Sequence, residues 1–239
     1  MAHPPRLRKA AAAALTAAVT LIASSGCAGG GSAAPEEPDP NAEAAGLLHQ
    51  AQMVQYGSAK LLADQSESGS YARLATVRAT ERLRETTESD RPDCLDAVNR
   101  WARMAEIRDA PASFAVFGDD EGTISHLLLK PPEGIAAQAL AAEIPPECGS
   151  YTATSEDGTT SAFTIEPLEI DTVADGSRAA VVETRMGGDT VLLHTLLYRY
   201  GDYLGSTSVL APADRAADGE EILVGFTEAA LERERKVLS

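Results

Sequence analysis

The most constraining feature of the sequence is a series of five apolar segments in its second half, separated by short joints that contain Gly and Asp. The segments span residues 151–155, 161–170, 177–186, 190–200 and 203–210. The joints are Asp157-Gly158, Asp175-Gly176, Gly187-Gly188-Asp189 and Gly201-Asp202. Tight antiparallel turns need residues that tolerate positive φ, and Gly, Asn and Asp do so most readily. The pattern therefore predicts consecutive antiparallel strands.

Two further strands are predicted upstream, over residues 113–117 and 123–130, with a turn at residues 118–122. They would form a hairpin. A short helix over residues 132–143 is predicted to lead from this hairpin to the later strands. The chain should therefore contain an antiparallel sheet of about five to seven strands.

Helical patterns precede these strands. Residues 43–64 and residues 92–107 each carry apolar side chains at helical spacing. Residues 71–88 have a helix-prone composition but no clean apolar stripe, so helix and strand both stay open there, with an extended segment favoured.

The clearest helix closes the sequence. Asp218 is predicted as its cap, and Arg233, Arg235 and Lys236 lie near its end, where positive charge is favourable. A sheet with helices at both ends of the chain predicts a single α+β domain over residues 46–239, with the helices packed on one face of the sheet.

The N-terminus has the anatomy of an export signal. Arg6, Arg8 and Lys9 precede an apolar run over residues 10–23, and Ser25-Gly26-Cys27 follows. This sequence resembles the cleavage and lipidation signal of bacterial lipoproteins, which implies a signal peptide at residues 1–26 and a lipidated Cys27. The apolar run is shorter than the roughly 20 residues that a membrane-spanning helix needs. The alternative is an ordinary secreted protein in which Cys27 has no such role.

Residues 27–45 are rich in Gly, Ala, Pro and acidic side chains, a composition that cannot bury a core. We expect a lipidated, disordered tether here. Each buried methylene of an acyl chain adds about 0.8 kcal/mol to membrane binding, and more than one chain holds a protein stably. The expected location is the extracytoplasmic face of the cell membrane.

The three cysteines of an exported protein leave one unpaired unless one has another role. With Cys27 assigned to lipid, Cys94 and Cys148 remain, and in an oxidising compartment we expect them to form a disulfide. A catalytic thiol needs an electropositive setting, whereas acidic residues flank both cysteines. Trp101 shares a predicted helix face with Cys94, so we expect it to pack beside the bridge.

The charge of the chain limits its partners. There are 36 Asp and Glu against 20 Lys and Arg, for a net charge of −16. Removal of residues 1–26 takes away three basic residues and no acidic one, which lowers the net charge to −19. Because nucleic acids bind basic surfaces, we expect no nucleic-acid partner.

Motifs for catalysis and metal binding are missing from the sequence. It has no Gly-x-Ser-x-Gly, His-Glu-x-x-His or Ser-x-x-Lys pattern and no phosphate-binding Gly loop. His49, His126 and His194 are interpreted as surface or hydrogen-bonded sheet residues, and whether His126 and His194 face each other stays open. The acidic clusters at 119–121 and 156–157 lack the ligand spacing of a calcium loop. We predict no catalytic residue, no metal site and no cofactor.

Several framework features resemble actinobacterial cell-envelope lipoproteins and the extracellular sensor domains of PknH-type membrane kinases. The features are Asp93-Cys94-Leu95, Pro145-Pro146-Glu147-Cys148, the segment from Tyr198 to Leu204 and the closing helix. They cover most of residues 90–239. The resemblance implies binding or sensing in the cell envelope.

Three functions are compatible with these features. The first is a non-enzymatic sensor or interaction lipoprotein that binds a small ligand or another envelope protein. The second is a lipid or glycolipid carrier, which requires an enclosed apolar cavity of several hundred Å³. The third is an envelope enzyme, which requires titratable side chains that converge in a deep cleft. The missing catalytic motifs favour the first.

Overall fold

The described part of the chain, residues 37–118 and 122–239 of a computed structural model, contains eleven strands and five α-helices. The strands are β1 (Gln55–Tyr56), β2 (Ala59–Leu61), β3 (Glu67–Ser70), β4 (Glu88–Ser89), β5 (Pro111–Gly118), β6 (Thr123–Leu129), β7 (Ser150–Thr154), β8 (Thr160–Leu168), β9 (Ser177–Met186), β10 (Asp189–Tyr200) and β11 (Tyr203–Pro212). The α-helices are α1 (Ala42–Ala51), α2 (Ala75–Thr86), α3 (Ala105–Arg108), α4 (Ile135–Ala141) and α5 (Ala216–Leu238). The predicted signal peptide and Cys27 lie outside the described residues.

All eleven strands belong to one antiparallel sheet, in the order β1-β2-β5-β6-β11-β10-β9-β8-β7-β4, with β3 pairing to β5 as well. The predicted hairpin is confirmed as β5–β6, and the five predicted C-terminal strands are confirmed as β7–β11. Gly201 has a φ of +56° in the turn that joins β10 to β11. Gly187 and Gly188, both with positive φ, join β9 to β10. The predicted turn chemistry therefore sets these joints.

The strand count was wrong, because the sheet has eleven strands among the described residues and not five to seven. The additional strands, β1 to β4, are two to four residues long. Segments this short carry too few residues to show an alternating pattern.

Helices cover both faces of the sheet, so the prediction that they pack on one face was wrong. On one face, α5 contributes Leu223 and Phe226 to a cluster with Leu196 of β10. On the other face, Ile107 and Ala139 pack in a cluster with Leu197 of β10. Successive strand residues point to opposite faces. Burial of both Leu196 and Leu197 therefore requires a layer on each side.

The helix predicted over residues 43–64 ends at Ala51, and the chain continues into the β1–β2 hairpin, whose turn contains Gly57 with a φ of +56°. The segment 71–88, where the sequence left helix and strand open and an extended segment was favoured, is mainly the helix α2. No residue of α2 is buried, which explains why it has no apolar stripe. Its first amides, those of Ala75 and Thr76, donate to the carboxylate of Glu67 on β3.

Other boundaries differ from the prediction as well. The expected helix over 92–107 is divided into 3₁₀ turns at Pro92–Cys94 and Ala97–Arg103, followed by α3. Helix α5 starts at Ala216, so Asp218 lies in its first turn and does not cap it. The predicted helix over 132–143 is confirmed as α4.

The domain boundary expected at residue 46 was too late. The compact unit begins at Pro38, and Ala45 is fully buried within α1. Residues 38–45, assigned to a disordered tether, therefore belong to the folded unit.

Candidate ligand-binding site

A recess of about 220 Å³ lies where the first turns of α5 meet the β1–β2 hairpin and the ends of β6 and β11. We call it the α5 recess. Its apolar wall is formed by Tyr56, Ala59, Ile124, Val209, Leu210, Ala211 and Ile222. Arg215 and Asp218, joined by a 2.8 Å ion pair, form a polar part of its lining. The α5 recess therefore offers an apolar body with charged groups on its lining.

Two glycines of α5 give this region its shape. A Cβ on Gly219 would lie 2.6 Å from the ring of His194, and a Cβ on Gly225 would lie 2.4 Å from the hydroxyl of Tyr56. Both distances are too short for a side chain. The absence of a side chain lets the helix approach β10 and the β1–β2 hairpin closely.

His194 lies beneath the first turn of α5, against Gly219 and next to the recess. Its side chain is almost fully buried, and burial lowers its pKa although Glu220 acts in the opposite direction. Within the described residues its Nδ1 atom has no hydrogen-bond partner. We assign it to the packing of α5 against the sheet.

His126 and His194 do not face each other directly, since β11 runs between their strands. His126 is opposite Thr207, and His194 is opposite Val209.

His126 belongs to a buried polar chain with Gln52, Tyr198 and Glu234. The buried polar chain is closed off from solvent, because the side chains of His126 and Glu234 are 1% and 0% exposed. His49 lies 3.3 Å, Nδ1 to Oγ, from Ser113.

A second hollow, about 850 Å³, is an open groove between α5 and the segment that joins β8 to β9. Its charged lining residues are Glu169, Asp171, Glu220, Glu228 and Arg235. Among residues 37–118 and 122–239, no three His, Cys, Asp or Glu side chains are grouped as a metal site would require. The groove is therefore mainly acidic, with Arg235 as its basic lining residue.

The remaining acidic clusters have local roles or are not described. At the β7–β8 turn, Asp157 accepts hydrogen bonds from the backbone amide of Thr159 and from the hydroxyl of Ser155, which hold the pKa of its carboxyl below the ordinary value. The cluster at residues 119–121 lies outside the described residues. Asp157 therefore stabilises its own turn.

The predicted disulfide is present in the structure. Cys94 and Cys148 are bonded, with their Cα atoms 5.2 Å apart, and both are buried. Trp101, expected beside the bridge, belongs instead to a different cluster, with its ring 6.2 Å from that of Tyr71. It is 2% exposed, so no face of its ring is available to a ligand.

The sequence did not reveal the α5 recess, because its apolar wall comes from five separate elements, β1, β2, β6, β11 and α5. One signal was available: Gly219 and Gly225 interrupt an otherwise strong helix pattern, and glycine in a helix interior costs about 1 kcal/mol relative to alanine. Such positions indicate close approach of another element.

Comparisons with known proteins give few matches. No family model matches the chain, and no curated protein matches it in sequence. The extracellular domain of PknH from Mycobacterium tuberculosis is similar in structure, with 8% identity and a TM-score of 0.40, over 59% of this chain and 78% of that one. An uncharacterised Rv0999 ortholog from Mycobacterium smegmatis is similar at 12% identity and a TM-score of 0.40, over 62% of this chain and 76% of that one.

A PknH extracellular domain, the kind of domain that the sequence features resemble, is therefore among the similar structures. Similarity at this level says nothing about function. In the part of the chain that the structure describes, no helix is both long and apolar enough to span a membrane.

Proposed function

We propose that this protein is a lipid-anchored module of the cell envelope that binds a small ligand in the α5 recess and acts as a sensor or interaction domain. The observation that supports binding is the recess itself, an apolar-walled hollow of about 220 Å³ with the Arg215–Asp218 ion pair on its lining. Ligand pockets combine such apolar walls with a few polar groups that fix orientation. The expected ligand is a small, mainly apolar molecule with one polar group.

Two observations favour binding over the alternatives. A lipid carrier needs an enclosed apolar cavity of several hundred Å³, whereas the larger hollow is open and lined by carboxylates. An enzyme needs converging titratable groups that a substrate can reach. The converging groups of this domain, His126, Tyr198 and Glu234, are buried away from the α5 recess.

Binding is tested with octanoate and octanamide as probes, because they share an apolar chain and differ in the charge of the head group. Titration followed by amide chemical shifts should perturb β1, β2, β11 and the first turns of α5. Ile222 of α5 lines the recess with a partly buried side chain, so Ile222→Trp should fill the recess. The variant should bind at least tenfold more weakly.

Val191→Trp is the matched control. Val191 is 36% exposed on β10 and does not line the recess. Equal binding by both variants, or shift changes scattered over the whole surface, would overturn the proposed site. Native mass spectrometry of protein recovered from envelopes adds an independent result, since a co-purifying mass of lipid size would favour the carrier.

Anchoring is tested separately with Cys27→Ala. The variant should leave the membrane fraction, because the acyl chains that provide membrane binding would have no attachment point. Retention of Cys27→Ala in the membrane fraction, at the level of the unaltered protein, would rule out a lipid anchor at this residue.

A further inference from the structure

A continuous chain of hydrogen bonds crosses the core from α1 to α5. Gln52 Oε1 lies 2.6 Å from His126 Nδ1, and His126 Nε2 lies 3.0 Å from the hydroxyl of Tyr198. That hydroxyl is bonded in turn to Glu234 Oε1. The four side chains come from the end of α1, from β6, from β10 and from α5, so the buried polar chain connects both terminal helices to the sheet.

The direction of the first bond follows from the partners of Gln52. Its Nε2 atom donates to the carbonyl oxygen of Ser113 at 3.1 Å and approaches that of His126 at 3.4 Å. An amide nitrogen donates and an amide oxygen accepts, so the amide can be oriented in only one way. Its oxygen therefore faces His126, and Nδ1 of His126 must carry a proton.

The rest of the buried polar chain has one proton fewer than its hydrogen bonds need. The hydroxyl of Tyr198 has a single proton, and it lies between two atoms, His126 Nε2 and Glu234 Oε1, that are themselves 3.5 Å apart. If neither atom carries a proton, Tyr198 can donate to only one of them. The other is then a buried acceptor without a donor, which costs free energy. One additional proton, on Glu234 or on His126, gives each of these three atoms a partner, although the second oxygen of Glu234, Oε2, is buried without one.

Glu234 is the site that holds this proton. Burial raises the pKa of Glu234 to about 7, against the opposing effects of Tyr198 and Arg235, and burial lowers the pKa of His126 to about 3. With Glu234 protonated, its hydroxyl donates to Tyr198, and Tyr198 donates to His126. Every bond then has one donor and one acceptor.

Other titratable side chains lie near the buried polar chain, on the elements that pack around it. Helix α5 carries Arg233 and Arg235, α1 carries His49, and Tyr203 of β11 lies beside the end of α5. Arg233 donates to the carbonyl oxygens of Gln50 and Gln52 and holds α5 to the end of α1.

We propose that the domain contains a proton-dependent lock, in which a single buried proton shared by His126, Tyr198 and Glu234 fastens α1 and α5 to the sheet. When Glu234 loses this proton to solvent, a carboxylate forms in the core and Tyr198 can satisfy only one neighbour. Gln52 then transmits the disturbance to α1, since its side chain bonds to His126 and its carbonyl oxygen accepts from Arg233.

The sign of the pH effect is fixed by the two pKa directions. The pKa of Glu234 is above its ordinary value of 4.5, so its contribution to stability is complete below about 4.5 and is lost as the pH rises through about 7. The lowered pKa of His126 acts in the opposite sense: stability falls as the pH drops from 6.5 towards about 3. The two effects oppose each other between pH 4.5 and 6.5.

Glu234→Gln separates these effects, because glutamine is neutral and its amide donates to Tyr198 as the protonated carboxyl does. The melting temperature of Glu234→Gln minus that of the unaltered protein should rise between about pH 4.5 and pH 7 and stay constant above. Glu232→Gln, an exposed change on the same helix, is the control; Lys236 lowers the pKa of Glu232, so this difference should be constant between pH 4.5 and pH 7 and change only in more acidic solution. A constant difference for Glu234→Gln as well would refute the lock.

Amide hydrogen exchange tests the structural consequence. Above pH 7, after correction for intrinsic rates, α1 and the last turns of α5 should exchange at least tenfold faster in the unaltered protein than in Glu234→Gln. Equal protection in the two proteins would also refute the proposal.

A spectroscopic measurement on the unaltered protein covers the case in which the variant does not fold. Carboxyl ¹³C shifts should show Glu234 protonated at about pH 5 and ionised only near 7, and imidazole ¹⁵N shifts should show a neutral His126 with its proton on Nδ1. An ionised Glu234 at about pH 5, or an Nε2-protonated neutral His126, would contradict the lock. None of these results depends on ligand binding in the α5 recess.

Discussion

The centre of the sheet and its β7–β8 edge are stabilised in different ways. Under α5, the ring of Phe226 meets the rings of Phe117 at 5.0 Å, Tyr56 at 5.4 Å and His126 at 5.6 Å, all edge to face. At the edge, short 3₁₀ turns replace a long helix, and the Cys94–Cys148 disulfide lies among a smaller set of buried residues. A covalent bond is used where one helix does not supply enough buried surface.

The largest effect is expected for Phe226→Ala, which removes the ring that joins α5 to the centre of the sheet. The side chain is fully buried, so truncation should leave a cavity and lower the free energy of unfolding by about 3–5 kcal/mol. Urea denaturation measures the change. Leu83→Ala, at a position 61% exposed, should be close to neutral. If the two variants unfolded at similar urea concentrations, the centre would not depend on α5.

A somewhat smaller loss is expected for the double variant Cys94→Ser, Cys148→Ser. The cysteines are 54 residues apart, and opening a loop of that length removes on the order of 4 kcal/mol in the chain-entropy account. Thermal unfolding should show a fall in melting temperature of several degrees, and hydrogen exchange should increase first in β7 and β8. An increase spread evenly over the sheet would mean that the disulfide supports the whole domain and not its edge.

The smallest effect is expected for Asp39→Ala, outside both regions. The carboxylate of Asp39 accepts hydrogen bonds from the backbone amide and hydroxyl of Ser70 and from the amide of Asn41. We expect a loss of about 1 kcal/mol, since the bonds are only partly buried. Calorimetry would detect it, and a loss as large as that of Phe226→Ala would place a third centre of stability at the start of α1.

Asp39 also has a pH signature. Burial raises the pKa of its carboxyl, but the hydrogen bonds from Ser70 and Asn41 outweigh burial and hold the pKa below 3.8. Its stabilising contribution is therefore present above 3.8 and lost as the pH falls through the lowered value. The difference in stability between Asp39→Ala and the unaltered protein should shrink in acid.

The sequence allowed the C-terminal half of the sheet to be predicted because its turns need particular residues. Gly201 and the pair Gly187-Gly188 adopt positive φ, and their spacing sets the strand boundaries. The disulfide followed from the number of cysteines. Helix α2 could not be predicted in this way, since its first amides bond to Glu67 of a strand that is itself four residues long.

The buried polar chain could not be predicted from the sequence either. A glutamate near the end of an acidic, arginine-rich helix is normally a surface residue, and its burial depends on partners from two distant strands. Gln52 likewise leaves α1 in an extended conformation, with ψ 149°, and ends the helix expected to continue to residue 64. Both residues are explained only by the three-dimensional contacts among α1, β6, β10 and α5.

The position of β6 in the sheet affects the order in which the strands of this domain can pair during folding. One side of β6 pairs with β5, which immediately precedes it, but the other side pairs with β11, which is synthesised only after β7 to β10. Until then the backbone amides and carbonyls along that side are unpaired, as at any exposed strand edge. Pairing of β6 with β11 is therefore non-local and slow compared with the closure of a simple meander, and the nascent β5–β6 hairpin exposes an unpaired strand edge in the interval, which favours aggregation.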